Sequence, residues 1–144
     1  MADPADPDLI AKLGKCRIFE DLSEGELQKV AERMQEDHFP GNDQILKEGE
    51  QGMGFFFVVL DGSATVIQHG KEVATLKQGD FFGEVTSLNG GPRTASVKAI
   101  EPLWVMRLTD TDFRPFLEDF PKVTFRVLER VLMRFQALAT NAGA

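Results

Sequence analysis

The stretch FFGEVTSLNGGPRTASV, residues 81–97, holds only two charged side chains, Glu84 and Arg93, nine positions apart among apolar and small residues. An arginine offers a planar fork of donors that matches phosphate oxygens, and each charge-assisted hydrogen bond of this kind is worth roughly 1.5–3 kcal/mol. An ionised carboxylate only accepts. Glu84 is therefore unsuited to a phosphate and well suited to a sugar hydroxyl one sugar-length away. If Gly83 ends a strand and EVTSL makes one helical turn, the unpaired N–H groups at the start of that turn also favour negative charge. Asn89, Gly90, Gly91 and Pro92 supply a tight return that brings Arg93 back toward Glu84. These residue types suit a small anion that carries sugar hydroxyls. The same spacing also fits a plain ion pair between Glu84 and Arg93 across a loop, a common arrangement worth little.

Catalytic and metal patterns are weaker. His38 and His69 stand 31 residues apart, outside any HxH or HExxH pattern, and read as turn or surface residues. No GxSxG elbow is present, and Cys16 has no partner that spacing identifies. The pairs Glu48/Glu50 and Asp110/Asp112 lie at turns, where caps and solvated faces are their ordinary use. Nothing in these residues argues for catalysis, so no enzyme is expected and no cofactor is implied.

The elements that must position the pair follow from periodicity. After MADPADP, DLIAKLGK reads as a short helix ended by Gly14, and Ser23 three places before Glu26 opens an amphipathic helix with a capping box. From Gln35 the runs QILKE, FFFVVL, SATVIQ, EVATLK, TASVKAI and LWVMRL are short, β-branched or aromatic, and separated by glycine turns. That spacing predicts an all-β sandwich or roll. DTDFRPFLEDF then reads as a helix capped by Thr109 or Thr111, with Pro115 close to its first turn or bending it, and Pro121 separates it from a last helix. There Val127, Val131, Phe135 and Leu138 are placed on one face, with Arg126, Arg130 and Arg134 repeating every four residues beside it.

At 144 residues, 42% hydrophobic and 27% charged, the chain fits one ordinary soluble domain. Its formal net charge of −7 argues against a nucleic-acid partner. No run of about 18 apolar residues is present to span a bilayer. The acidic, proline-spaced N-terminus is unlike a secretory leader. A cytoplasmic location, no membrane contact and a monomer are the expectations. A single cysteine cannot form an internal disulfide, and Cys16 is expected to be a small half-buried hydrophobe.

The residues FGEVTSLNGGPRTASV resemble the phosphate-binding cassette of the cyclic nucleotide-binding domain family, whose pattern is F-G-E-x-x-x-L followed by R-[ST/A]-A. The segments IFEDLSEGELQKVAERM, ILKEGEQGMGFFFVVLDGSATV and LTDTDFRPFLEDFPKV resemble that family's entry helix, β core and B helix, so the likeness covers nearly all of residues 17–138. The resemblance implies a mainly β fold with flanking helices, an eight-stranded β-roll (jelly roll, double-stranded β-helix). It divides the chain into a leader and short helix (1–16), the β-roll with cassette and B helix (17–121) and a lid helix (122–140). It implies cAMP or cGMP as the ligand, with Arg93 on the cyclic phosphate, Glu84 on the ribose 2′-hydroxyl, and Gly83, Val85, Thr94 and Ala95 around the sugar-phosphate. Val66, Leu76 and Thr86 then line the base and ribose cavity, and Arg134 lies where relatives place a residue over the base. Val131, Phe135 and Leu138 are apolar alternatives for that lid role. Closure of the last helix would switch contacts with a partner protein or attached effector. Three departures stand out: Met53-Gly54 replaces a frequent acidic residue, Ser87 a usual apolar one, and Pro115 interrupts the B helix. The rivals are a fold-retaining interaction module without ligand and a cupin-like metal enzyme.

Overall fold

The computed structural model describes residues 3, 6–51 and 54–141, with side chains as far as residue 137. Helix α1 (Pro7–Gly14) starts with a proline at its first position behind an Asp6 cap, and Lys15 closes it. A 3₁₀ turn (Arg17–Phe19) leads to α2 (Glu24–Arg33), where Ser23 and Glu26 form the reciprocal capping box that the sequence announces. Eight strands follow: β1 (Gln35–Phe39), β2 (Gln44–Leu46), β3 (Phe55–Asp61), β4 (Ala64–Gln68), β5 (Lys71–Leu76), β6 (Phe81–Phe82), β7 (Ser96–Ala99) and β8 (Leu103–Thr109). Helix α3 (Glu84–Asn89) lies between β6 and β7, and α4 (Asp110–Asp119) and α5 (Pro121–Asn141) complete the chain.

The strands make two antiparallel four-stranded sheets, ordered β1-β8-β3-β6 and β2-β7-β4-β5. Strand β3 explains why the pattern of FFFVVL is a continuous apolar run instead of an alternation. Phe56, Val58 and Leu60 join α1, α2, α4 and the start of α5 in one core, while Phe57 and Val59 pack between the sheets with Leu76, Val97, Leu103 and Val105. A strand covered on both faces has no polar side. Aromatic stacking fixes both layers: Phe56 lies 4.2 Å from Phe113 of α4, and Phe57 lies 4.7 Å from Phe82 of β6, centroid to centroid.

Two expectations change, at Pro115 and Cys16, and the structure adds detail at β1 and Pro121. Strand β1, QEDHF, carries one apolar residue and is held by pairing with β8, by Trp104 Nε1 donating to Glu36 and by His38 stacked on Trp104. Pro115 sits at the sixth position of α4, past the first turn, and the helix continues to Asp119. Pro121 is the first residue of α5, where a missing N–H costs nothing. Cys16 is fully buried, not half-buried. Among the described residues no helix is long and apolar enough to cross a membrane.

Candidate functional site

The site begins at Gly83. Its φ is 90°, in the left-handed region, and a Cβ there would stand 2.5 Å from the Phe55 carbonyl oxygen. Only glycine lets β6 pass that close to β3 and turn at once into α3. The first bond inside α3 runs from the Ser87 N–H to the Gly83 carbonyl at 3.1 Å, so the N–H groups of Glu84, Val85 and Thr86 precede the helical ladder. The helix ends at Gly90 (φ 72°), and Gly91 (φ 86°) continues the return that the Gly-Gly-Pro sequence predicts.

Arg93 is fastened through its backbone before its side chain does anything. Its N–H donates to the Glu50 carbonyl and its carbonyl accepts from Gly49 N–H, both at 2.9 Å. The guanidinium is 7% exposed, and Nη1 and Nη2 donate to the carbonyls of Gly83 and Phe55 at 3.3 Å each. A Cβ on Gly54 would fall 1.7 Å from Nη2, so this glycine leaves the room that the fork fills. The nearest carboxylate is Asp110 of α4, 3.9 Å from Nη2.

Glu84 takes a different partner. Its Oε1 accepts from Arg134 Nη1 at 2.9 Å, although the carboxylate itself is nearly buried. The other arm of Arg134 donates to the Phe81 carbonyl at 2.8 Å, and its guanidinium lies 4.6 Å over the Phe81 ring. The loop ion pair between Glu84 and Arg93, allowed by spacing, is therefore not their arrangement: the two residues face Arg134 and Asp110 respectively.

The remaining candidates scatter in depth. Thr86 and Leu76 are buried, Val66 and Ala95 half-buried, and Val85 and Thr94 exposed. The Thr94 carbonyl accepts from Gln68 Nε2 at 3.1 Å, tying the cassette's exit to β4. Val66 packs on the inter-sheet core that Leu76 belongs to. In α5, Val127 is buried and Val131 packs on the first core, but Phe135 is 66% exposed, because steps of four residues drift around a 3.6-residue turn. The side chain of Leu138, and Met53, lie outside the described residues.

Arg126 lies beside the same face of α5. It grips Glu20, Asp21 and Glu129, and the bond from Arg126 holds the Asp21 carboxyl below its ordinary value. Two surface clefts, of about 230 and 430 Å³, open beside Arg17 and Arg130 and beside Gln35 and Arg107; neither includes Glu84 or Arg93. Asp110, read from the sequence as a cap or part of a solvated face at a turn, instead stands beside the Arg93 guanidinium.

The model of the cyclic nucleotide-binding domain matches residues 36–120. A cAMP-dependent protein kinase regulatory subunit of Debaryomyces hansenii is 39% identical over 106 residues, 73% of this chain and 23% of that protein. A cGMP-dependent protein kinase of Caenorhabditis briggsae is 36% identical over 118 residues, 77% of this chain and 16% of that protein. The chain thus spans less than a quarter of either relative. Among solved structures, cAMP-bound PfPKA-R superposes with a TM-score of 0.77 at 29% identity, over 93% of this chain and 46% of that one. With the cassette motif on a β-roll of this topology, the chain belongs to the cyclic nucleotide-binding domain family.

Proposed function

We propose that the chain is a receptor module for a 3′,5′-cyclic nucleotide, cAMP or cGMP, that binds without turnover. The observation that carries this reading is the burial of Arg93 and Glu84 around a left-handed Gly83 that no other residue could replace. A buried arginine whose two carbonyl contacts are long, at 3.3 Å, keeps donors for a stronger acceptor, and a cyclic phosphate is one. The N–H groups of Glu84, Val85 and Ala95 and the backbone at Gly83 line its approach, with Thr94 at the rim. Glu84 receives the ribose 2′-hydroxyl, which makes the ligand a partner for a carboxylate now shared with Arg134. Val66, Leu76 and Thr86 wall the ribose and base.

The mechanism is exchange of partners. Arg93 gives up neutral carbonyls for a charged phosphate, and Glu84 divides its acceptors between ribose and Arg134. Arg134 belongs to α5, so the lid helix senses the carboxylate that meets the sugar. Ligand closes the lid only to the extent that it binds the closed arrangement more tightly. The apolar residues of α5 that face away from the core, Phe125, Leu128, Leu132 and Phe135, are the surface through which an effector or the rest of a longer chain reads the change. The division into leader (1–16), roll with cassette (17–121) and lid (122–140) is the working layout of that switch.

Calorimetry with cAMP, cGMP and 5′-AMP tests the reading. One cyclic nucleotide binds with unit stoichiometry, is recovered unchanged by chromatography, and outcompetes 5′-AMP. Arg93→Ala weakens binding by about 2–4 kcal/mol, because a buried phosphate loses its charged partner. No heat with either cyclic nucleotide, or unchanged affinity in the variant, sinks it.

A further inference from the structure

One carboxylate meets Arg93 and two of the segments around it, the turn before β3 and α3. Asp110 Oδ2 accepts from the Gly54 N–H at 2.9 Å, and the Asp110 N–H returns a bond to the Gly54 carbonyl at 3.1 Å. Its Oδ1 accepts the hydroxyl of Ser87 on α3 and faces Arg93 Nη2 at 3.9 Å. Gly54 is the residue over which the guanidinium lies, and Phe55, next in sequence, supplies one of its carbonyls. Two departures from the family pattern thus converge on this acid: the turn before β3 has Met53-Gly54 instead of an acidic residue, and α3 has Ser87 instead of an apolar one.

We propose that Asp110 is the positioning residue for Arg93, supplying from the first turn of α4 the counter-charge that the turn before β3 lacks, and that Ser87 makes the same carboxylate a joint between α3 and α4. A guanidinium flanked by two carbonyls and one carboxylate has its fork plane set in advance, so less freedom is lost when a phosphate arrives. The hydroxyl of Ser87 then carries a requirement: α3 cannot shift relative to α4 without either moving Asp110 or leaving one of its acceptors open. In this chain the cassette and α4 are coupled by a polar joint where an apolar residue at position 87 would couple them by packing alone.

The proposal rests on the nucleotide-binding reading for its effect on affinity but not for its geometry, and the test separates the two. In the ligand-free protein, nitrogen-detected spectra of the Arg93 guanidinium show slow rotation and resolved Nη signals. Asp110→Ala and Asp110→Asn collapse them to the averaged pattern, with circular dichroism confirming that each variant is folded. Unchanged signals in a folded variant overturn the positioning role, whatever the protein binds. In titrations with cAMP and cGMP, Asp110→Ala costs roughly tenfold in the native background and less than about threefold in Arg93→Lys, which keeps a cation but has no fork. Equal losses in both backgrounds mean that Asp110 acts through general structure, and the proposal fails. Ser87→Ala, a milder change that preserves α4's own turn, loses part of the tenfold effect and keeps the resolved Arg93 signals; a loss equal to that of Asp110→Ala assigns the positioning to Ser87 instead. A wild-type chain that binds neither nucleotide removes the proposed function and leaves the spectra to decide on Asp110.

Discussion

Gly83 can be tested alone, because its constraint comes from two directions at once: a positive φ and a backbone carbonyl oxygen that an added Cβ would meet at 2.5 Å, well inside van der Waals contact. Gly83→Ala is expected to cost about 1–3 kcal/mol, read as a lower melting temperature, and to weaken nucleotide binding beyond that loss. A variant as stable as the parent means that the turn into α3 is not the close approach described. Cys16 gives a second test at this scale. Burial, with Asp80 nearby, pushes its thiol up to about 12, so at pH 8 the folded protein has essentially no thiolate. A thiol reagent should modify nothing until denaturant is added, then one group per chain. Glu84 and Arg93 stand out in the sequence because both are isolated charges in a small-residue run. Their present partners do not, since Arg134 and Asp110 come from 50 and 17 positions away and no local pattern encodes such distances.

At the scale of elements, α5 is tied at its start by packing and salt links and nearer its end by one arginine. Val123 and Val127 are buried, and Arg126 clasps Glu20 and Asp21 beyond the 3₁₀ turn. Val127→Ala should therefore cost roughly 1–3 kcal/mol, whereas Phe125→Ser, at a residue 73% exposed, should stay within about 0.5 kcal/mol of the parent in denaturant titrations. The Arg126 clasp also has a pH signature. The Asp21 carboxyl is lowered in the folded chain, so the stability that it contributes is present above the ordinary carboxyl range and disappears as pH falls through the lowered value. Protection of the amides in the first turns of α5, corrected for the intrinsic slowing of exchange in acid, should drop on acidification below about pH 4, and Arg126→Ala should weaken that dependence while the Lys122–Glu26 pair keeps its share. The start of helix α2 was readable to the residue from its capping box, while β1 was not readable at all, since its five residues are strand only because β8 lies beside them.

For the whole molecule, the two cores share one wall. Strands β3 and β8 pass between the helical layer and the second sheet, and each contributes side chains to both. Phe56→Ala should unfold the protein more easily by about 3–5 kcal/mol, and the loss should appear in a single cooperative transition. A two-step denaturation curve would show that the layers are independent. The six apolar runs and their glycine breaks predict an all-β sandwich or roll, and the family resemblance narrows that to the eight-stranded roll. Which face of each run meets which layer was not legible, because a strand apolar on both faces carries no alternation to read.

The contact between Arg134 and Glu84 has a consequence in time. One side of the cassette is built on β3, whose amides can open only when the shared wall does; the other is closed by an arginine near the end of a helix that is anchored mainly at its start. A nucleotide seated between them leaves when the faster side lets go. Its residence time is then set by how often α5 releases Glu84, and Arg134→Ala should raise the dissociation rate more than it lowers the association rate.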